Sequence, residues 1–153
     1  MLANGSFDIV LQPVSTCYVP EIEPVFREVA RVLRDGGIYI SQHKQPANLQ
    51  AESVPTGRGY AIVEPAQRSG PLPPVLPCLH READTLEFLH SWTDIIGGIC
   101  RAGFVIEDLV EPNRDANILA APGTFEHGCA FLPPYAKIKA RRFGSRERVL
   151  VLK

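Results

Sequence analysis

The feature that most constrains the fold of this chain is a β-α-β crossover close to its N-terminus. Two short apolar runs, Phe7–Gln12 and Gly37–Gln42, flank the amphipathic segment Glu21–Arg34. Runs of this kind are typical of strands buried on both faces of a parallel sheet. The apolar side chains between them recur at helical spacing, at Ile22, Val25, Phe26, Val29, Ala30 and Leu33. A connecting helix makes the two strands parallel, with a right-handed crossover.

The crossover predicts both the fold class and the place of the site. Gly36 and Gly37 supply the left-handed exit that a helix C-terminus needs. The fold class is therefore α/β, with a doubly wound sheet and helices. Ligands of such sheets bind beyond the carboxyl ends of the strands. Here those ends are residues 12–15 and 41–43.

A second unit is predicted downstream. Asp84 and Glu87 have the spacing of a capping box, which predicts a second helix that ends at Gly103. Phe104–Val110 is predicted to be a strand, and Val149–Lys153 to be the last strand of the sheet. On the second helix, Trp92 lies on the apolar stripe and is expected in the core. His90 lies off that stripe and is expected to be solvated.

Two stretches are predicted to be irregular. Residues 46–78 hold half of the chain's 14 prolines, and residues 111–147 hold Pro112, Pro122, Pro133 and Pro134. Loops this long in a compact domain are usually lids, binding loops or disordered segments. We therefore expect one domain, 1–153, with a proline-rich insert at about 46–78 and a loop at about 111–147.

Composition narrows the functional classes. The formal net charge is -1 with 16 basic and 17 acidic residues, so the overall charge calls for neither nucleic acid nor an anionic membrane. No apolar run has the length of a membrane span, and no signal-peptide pattern is present. The cysteines at 17, 78, 100 and 129 are widely separated. We expect reduced thiols, a cytoplasmic location and no metal site, because zinc needs three or four well-spaced ligands.

Three segments resemble the class I S-adenosylmethionine-dependent methyltransferases. Residues 5–10 read GSFDIV, residues 27–37 read REVARVLRDGG, and residues 101–112 read RAGFVIEDLVEP. The similarity is to the type 11 group, which includes the ubiquinone and menaquinone biosynthesis methyltransferases. It implies a partial Rossmann-like sheet that corresponds to strands four to seven of the family order.

The resemblance also implies that parts of the family's fold are missing. The family has a glycine-rich loop after its first strand and an acidic residue at the end of its second, which hold the cofactor. Neither is found in this sequence. We therefore expect a C-terminal half, either truncated or one piece of a split enzyme, that binds S-adenosylmethionine negligibly by itself. A chain that supplies the N-terminal strands would be its partner, because Phe7–Gln12 would otherwise form an apolar sheet edge.

By the resemblance, the residues after the fourth family strand border the methyl donor. These are Gln12, Pro13, Val14 and Ser15, although Pro13 and Val14 would serve equally well to turn the chain. Tyr18, nearby, and Tyr135 are expected to contact the acceptor. Tyr135 ends the stiff segment 131–135, which would either cover an acceptor or pack on the exterior.

Three residues are candidates for catalysis. His80 is a candidate base, and Arg81 a candidate for holding an anionic or carbonyl group; alternatively, Arg81 pairs with Glu82 at a helix start. His43, which follows the second strand, is either a base or substrate donor or a solvated loop histidine. Methyl transfer to a small molecule is the leading interpretation. The alternatives are a non-catalytic remnant that docks to a partner and an RNA-modifying module with a basic tail, the latter disfavoured by the net charge.

Overall fold

The computed structural model describes residues 2–74 and 84–144. Its elements alternate strands with short helices. In chain order they are β1 (Phe7–Gln12), α1 (Glu23–Val32), β2 (Leu33–Lys44), α2 (Pro46–Gln50), α3 (π-helical at Thr93–Gly97 and α-helical at Gly98–Arg101), β3 (Phe104–Val110), α4 (Phe125–Phe131) and β4 (Tyr135–Arg142). A 3-10 turn, Thr16–Tyr18, follows β1.

The strands form one mixed sheet in the order β1-β2-β4-β3. β1 and β2 are parallel, with Ile9 opposite Ile38 and Gln12 opposite Ser41. β4 lies between β2 and β3 and is antiparallel to both. The predicted crossover and the α/β fold class are therefore confirmed.

α1 is shorter than its apolar pattern predicts. It buries Phe26, Val29 and Val32 against the sheet, and Pro24 lies in its first turn, where a missing N–H group costs nothing. The helix ends at Val32, and the chain passes directly into β2. Gly36 has a φ of 76°, so the predicted left-handed glycine is present, but it lies within β2 and not at the helix end.

The core lies between one face of the sheet and the helices α1 and α3. Its central residues include Phe26, Tyr39, Ile99 and Phe104, all 0% exposed. Trp92 packs against this cluster and is partly buried, in keeping with its expected place in the core. α1, β2 and α3 therefore form one packed unit that fixes the carboxyl ends of β1 and β2.

The opposite face of the sheet is largely open. Ile9 and Leu11 of the edge strand β1 are 55% and 68% exposed, so the expectation that β1 is buried on both faces is wrong. Across the same face, Lys139 and Arg141 of β4 both pair with Glu107. The open face is thus apolar along β1 and charged along β4.

The second predicted helix begins later than expected. Asp84 has a φ of 62°, outside helical geometry, and the helix starts only at Thr93. Glu87 does not cap a helix: its backbone carbonyl accepts a hydrogen bond from Leu72 N, and its side chain binds Lys44. The capping-box interpretation is therefore wrong, and the residues before Thr93 run as an irregular segment.

Part of the predicted loop at 111–147 is regular. It contains α4 and the central strand β4, in which Ala136, Ile138 and Ala140 are buried. α2 likewise interrupts the proline-rich stretch 46–78. The predicted strand Val149–Lys153 lies outside the described residues. β3 coincides with its prediction at Phe104–Val110.

Within residues 2–74 and 84–144, no helix has the length and apolar character required to cross a membrane.

Candidate functional site

The turn after β1 lies at the carboxyl edge of the sheet, which is where ligands bind in this fold class. Gln12 Nε2 donates to Ser15 Oγ at 3.0 Å, and Ser15 Oγ donates to the Pro13 carbonyl at 3.1 Å. The buried Tyr39 hydroxyl donates to Gln12 Oε1. Burial raises the pKa of Tyr39, which keeps this donor protonated. The turn is therefore fixed by its own side chains and by the core beneath it.

His43 is not a loop histidine. It lies inside β2, is 0% exposed, and packs edge-on against Phe26. Its Nδ1 lies 2.9 Å from Thr16 Oγ1, and its Nε2 lies 2.8 Å from Ser41 Oγ. Burial, with a smaller contribution from the nearby His90, lowers the pKa of His43 to about 4. Both ring nitrogens are thus engaged, and the ring joins the turn after β1 to β2.

The depressed pKa of His43 predicts a loss of stability in acid. The unfolded chain takes up a proton near the ordinary pKa of 6.5, whereas the folded chain resists it until about pH 4. Stability from this residue is therefore complete above pH 6.5 and is lost as the pH falls to 4. We expect the loss to be about 3 kcal/mol. Urea unfolding at pH 7, 5 and 4 measures it, and His43→Gln should remove that part of the pH dependence; equal pH dependence in both proteins would contradict the assignment.

A buried ion pair lies beside the turn after β1. Lys44 Nζ is 2.8 Å and 2.7 Å from the two carboxylate oxygens of Glu87. The two side chains are only 6% and 1% exposed. Lys44 Nζ also lies 5.9 Å from the centre of the Tyr18 ring, within the range of a cation–π contact. The pair joins the end of β2 to the irregular segment before α3.

That segment, residues 87–90, is here called the strap, because it crosses the turn after β1. Phe88 N donates to the Cys17 carbonyl at 2.7 Å. His90 Nε2 lies 3.0 Å from the Thr16 carbonyl and 3.0 Å from the Val19 carbonyl. His90 is 8% exposed, so the expectation that it is solvated is wrong. The strap and the turn therefore form one hydrogen-bonded unit.

Cys17 lies inside this unit and is an unreactive thiol. Burial raises its pKa to about 11, an effect that Lys44 partly opposes and Glu87 reinforces. Thiolates, not thiols, are nucleophiles, so Cys17 remains protonated at neutral pH. Cys17, Cys100 and Cys129 are all free.

The predicted site residues are only partly gathered in one place. Residues 12–15, Tyr18 and His43 lie together around the turn after β1. Tyr135 is opposite Lys44 on the neighbouring strand and lines a separate cavity of about 200 Å³ with Gln42, Cys129 and Lys137. His80 and Arg81 lie outside the described residues. Within the described ranges, no group of three His, Cys, Asp or Glu side chains is arranged to hold a metal ion.

Sequence reasoning missed Thr16, Lys44, Glu87 and His90. Their partners are distant along the chain, 43 positions in the case of Lys44 and Glu87. The available signal was weak: a lysine at the end of a buried strand must either have a partner or reach solvent. The residues next to Glu87 and His90 in the sequence do not indicate that either side chain is buried or what it contacts.

Three comparisons with known proteins agree on the class. A family model described as a methyltransferase domain matches residues 1–41. An uncharacterized methyltransferase of Bacillus subtilis, YbaJ, is 32% identical over 112 residues, 71% of this chain and 44% of the relative. The crystal structure of an S-adenosylmethionine-dependent methyltransferase from Mesorhizobium loti has a TM-score of 0.65 at 25% identity and covers 92% of this chain and 64% of that one.

A more distant structure shares the fold. It is the methyltransferase in a complex with the Trm112 methyltransferase activator of Haloferax volcanii, with a TM-score of 0.59, 12% identity, and coverage of 96% of this chain and 58% of that one. The fold and the sequence matches are those of S-adenosylmethionine-dependent methyltransferases. Among these enzymes, the chain is related to class I, as the resemblance implied. It spans 44% of the Bacillus relative.

Among the described residues, the turn at 12–15 is placed to border a bound ligand, whereas a loop suited to a nucleotide is not found. The turn at 12–15 lies at the sheet's carboxyl edge, with Pro13 exposed and Gln12, Val14 and Ser15 half-buried. In the described residues, no glycine-rich loop opens a helix to receive the nucleotide part.

Proposed function

We propose that this chain forms the acceptor side of an S-adenosylmethionine-dependent methyltransferase that acts on a small molecule. The observation that carries the proposal is the parallel β1-α1-β2 unit, whose carboxyl ends hold a turn fixed by the buried groups of His43 and Tyr39. In sheets of this type, that edge is where ligands bind. The relatives at the level of sequence and fold are methyltransferases.

When bound, the donor supplies an electrophilic methyl group. The chain's own residues align the acceptor and exclude water, because the transfer is an in-line displacement that gains most from positioning. The turn at 12–15 would border the reacting methyl group, and Tyr18 would form the adjoining wall. His43, with both nitrogens engaged, would position that turn and not exchange protons.

We further propose that another chain, or another segment, supplies the strands that hold the donor. β1 is an edge strand whose Ile9 and Leu11 are largely exposed, and unpaired strand edges recruit further strands. In the fold neighbour from Haloferax volcanii, the methyltransferase is seen with an activator protein. Free thiols at Cys17, Cys100 and Cys129 support a cytoplasmic setting.

Calorimetric titration with S-adenosylmethionine tests this proposal. The chain alone should show no binding. The chain co-expressed with a polypeptide that carries the family's first three strands and glycine-rich loop should bind it. Leu11→Glu should weaken the association of the two polypeptides at least tenfold, because packing of the second polypeptide against β1 would bury the new carboxylate without a partner. Leu119→Glu is the matched control, because Leu119 is 90% exposed and lies outside the sheet.

Two outcomes would contradict the proposal. Micromolar binding by the chain alone would show that it needs no second polypeptide. No binding by the assembled pair would favour the second candidate, a non-catalytic remnant that docks through the edge of β1. An RNA-modifying role is less well supported, because Glu107 already pairs with two of the basic residues of β4.

A further inference from the structure

A cavity of about 370 Å³ lies at the start of α1, and residues 20–24, which follow the turn after β1 in the chain, form part of its lining. The loop 20–24, the end of the strap and Arg68 enclose it. Most of its polar side chains are already paired: Arg68 with Glu64, Glu23 with Arg101, and Asp94 with Ser91. His90 forms part of its wall and is 8% exposed.

The hydrogen bonds of His90 fix its tautomer. Its Nε2 lies 3.0 Å from each of two backbone carbonyls, Thr16 and Val19, and carbonyls only accept hydrogen bonds. Nε2 therefore carries the proton, and in the neutral ring Nδ1 keeps its lone pair. Among the described residues, no hydrogen-bond partner reaches Nδ1. The nitrogens of His43, by contrast, are both bonded to hydroxyls.

We propose that His90 is the proton acceptor of the methyl transfer, and that this cavity takes an acceptor that reacts through a hydroxyl or amine. The inference rests on the proposed function. A buried imidazole held in one tautomer by backbone carbonyls is arranged as a general base. The same Thr16 and Val19 carbonyls belong to the chain segment that continues from the turn at 12–15, so base and methyl-donor wall are parts of one unit.

The step balances without a further reagent. The acceptor's oxygen or nitrogen forms a bond to the methyl carbon, and the carbon–sulfur bond of the sulfonium donor breaks. Its electron pair stays on sulfur, which becomes a neutral thioether. The acceptor's proton passes to Nδ1 of His90 and then to solvent at the mouth of the cavity.

Reaction of the intact chain with diethyl pyrocarbonate tests whether Nδ1 of His90 is available, and it does not require an active enzyme. Peptide mass spectrometry should show His90 modified at least tenfold faster than His43. Phenol, which can donate a hydrogen bond to Nδ1, should slow the modification of His90. Anisole, which has the same ring but no hydroxyl, should not. Modification of His90 as slow as that of His43, or equal protection by phenol and anisole, would overturn the proposal.

His90→Gln separates the catalytic role from a structural one. The glutamine amide can still donate to the Thr16 and Val19 carbonyls, but it offers no basic nitrogen. In the assembled pair, with phenol as acceptor, His90→Gln should reduce kcat at least about 100-fold with KM and the unfolding midpoint little changed. His127→Gln is the control and should keep the wild-type rate, because His127 lies in α4, where its Nδ1 is 2.8 Å from the Tyr60 hydroxyl.

The outcomes distinguish this inference from the proposed function. Transfer by His90→Gln within threefold of wild type would remove His90 from catalysis and leave the methyltransferase standing. Donor binding by the pair without transfer to phenol would overturn the acceptor class proposed here. Absence of both binding and transfer would overturn the proposed function and this inference together.

Discussion

Replacing Lys44 with methionine is expected to lower the free energy of unfolding by about 3–5 kcal/mol, one of the two largest effects of a single substitution in this chain. The substitution leaves the Glu87 carboxylate buried, at 1% exposure, without the ammonium group that lies 2.7 Å away. A buried carboxylate that loses its cation must either remain charged away from water or take up a proton, and both are costly. Urea denaturation at pH 7 measures the loss.

The double variant Lys44→Met with Glu87→Leu provides the decisive control. Removing both charges removes the desolvation cost as well, so most of the lost stability should return. Lys139→Met tests whether the loss of any ion pair has the same effect on stability. Lys139 pairs with Glu107 at 3.0 Å, but its side chain is 47% exposed. We expect that change to cost less than about 1 kcal/mol. A loss below about 1 kcal/mol for Lys44→Met as well would show that the buried pair contributes little.

The ion pair also bears on function. Lys44 and Glu87 connect the end of β2 to the strap, and the strap carries His90 over the turn after β1. A pair that holds two loops in one arrangement pre-organises the site, which is what an aligned displacement requires. Lys44→Met should therefore loosen the strap even in conditions where the sheet remains folded.

Local periodicity was enough to predict the part of the fold that creates the site. The apolar spacing through α1 and the flanking β-branched runs gave β1, α1, β2 and their parallel pairing, because these depend on neighbouring residues. The turn at 12–15 follows directly from where β1 ends. What depended on distant contacts could not be predicted: the hydrogen bond between Thr16 and His43 joins residues 27 positions apart.

β4 shows a different limit. Ala136, Ile138 and Ala140 alternate with Lys137 and Lys139, which is the period of a strand with one buried and one solvated face. Nearby prolines and the density of basic residues suggested a charged loop instead. Antiparallel pairing with both β2 and β3 satisfies the backbone of this segment and makes it central, despite its weak apolar character.

The predicted start of the second helix rested on a local capping signal that the structure does not use. Asp84 and Glu87 have the spacing of a capping box, but Glu87 is 1% exposed and neutralises Lys44. In the structure the Glu87 side chain serves this tertiary contact, Asp84 has a φ of 62°, and the helix begins at Thr93. The spacing of Asp84 and Glu87 therefore matched a capping box without forming one.

Phe26→Ala is expected to cost about 3–5 kcal/mol, the second large effect, because the ring of Phe26 on α1 is fully buried against the sheet and α3, and truncation leaves a cavity. Its ring contacts Tyr39 and His43, with centroids 6.3 Å and 6.0 Å away. Gly98 lies directly against the same ring, since a Cβ added there would be 2.9 Å from two of its carbon atoms. The two positions are therefore expected to be coupled.

The coupling predicts a change of sign. In the wild-type chain, Gly98→Ala should destabilise by about 1–3 kcal/mol through overpacking. In the Phe26→Ala background the ring is gone, so the same substitution should stabilise by about 1 kcal/mol, the usual gain of alanine over glycine within a helix. Urea denaturation of the four proteins gives the cycle. Gly59→Ala, whose added Cβ would be 3.6 Å from Phe131, is the control and should be close to neutral. Additive effects of Phe26→Ala and Gly98→Ala, within about 0.5 kcal/mol, would show that α1 and α3 do not meet through this contact.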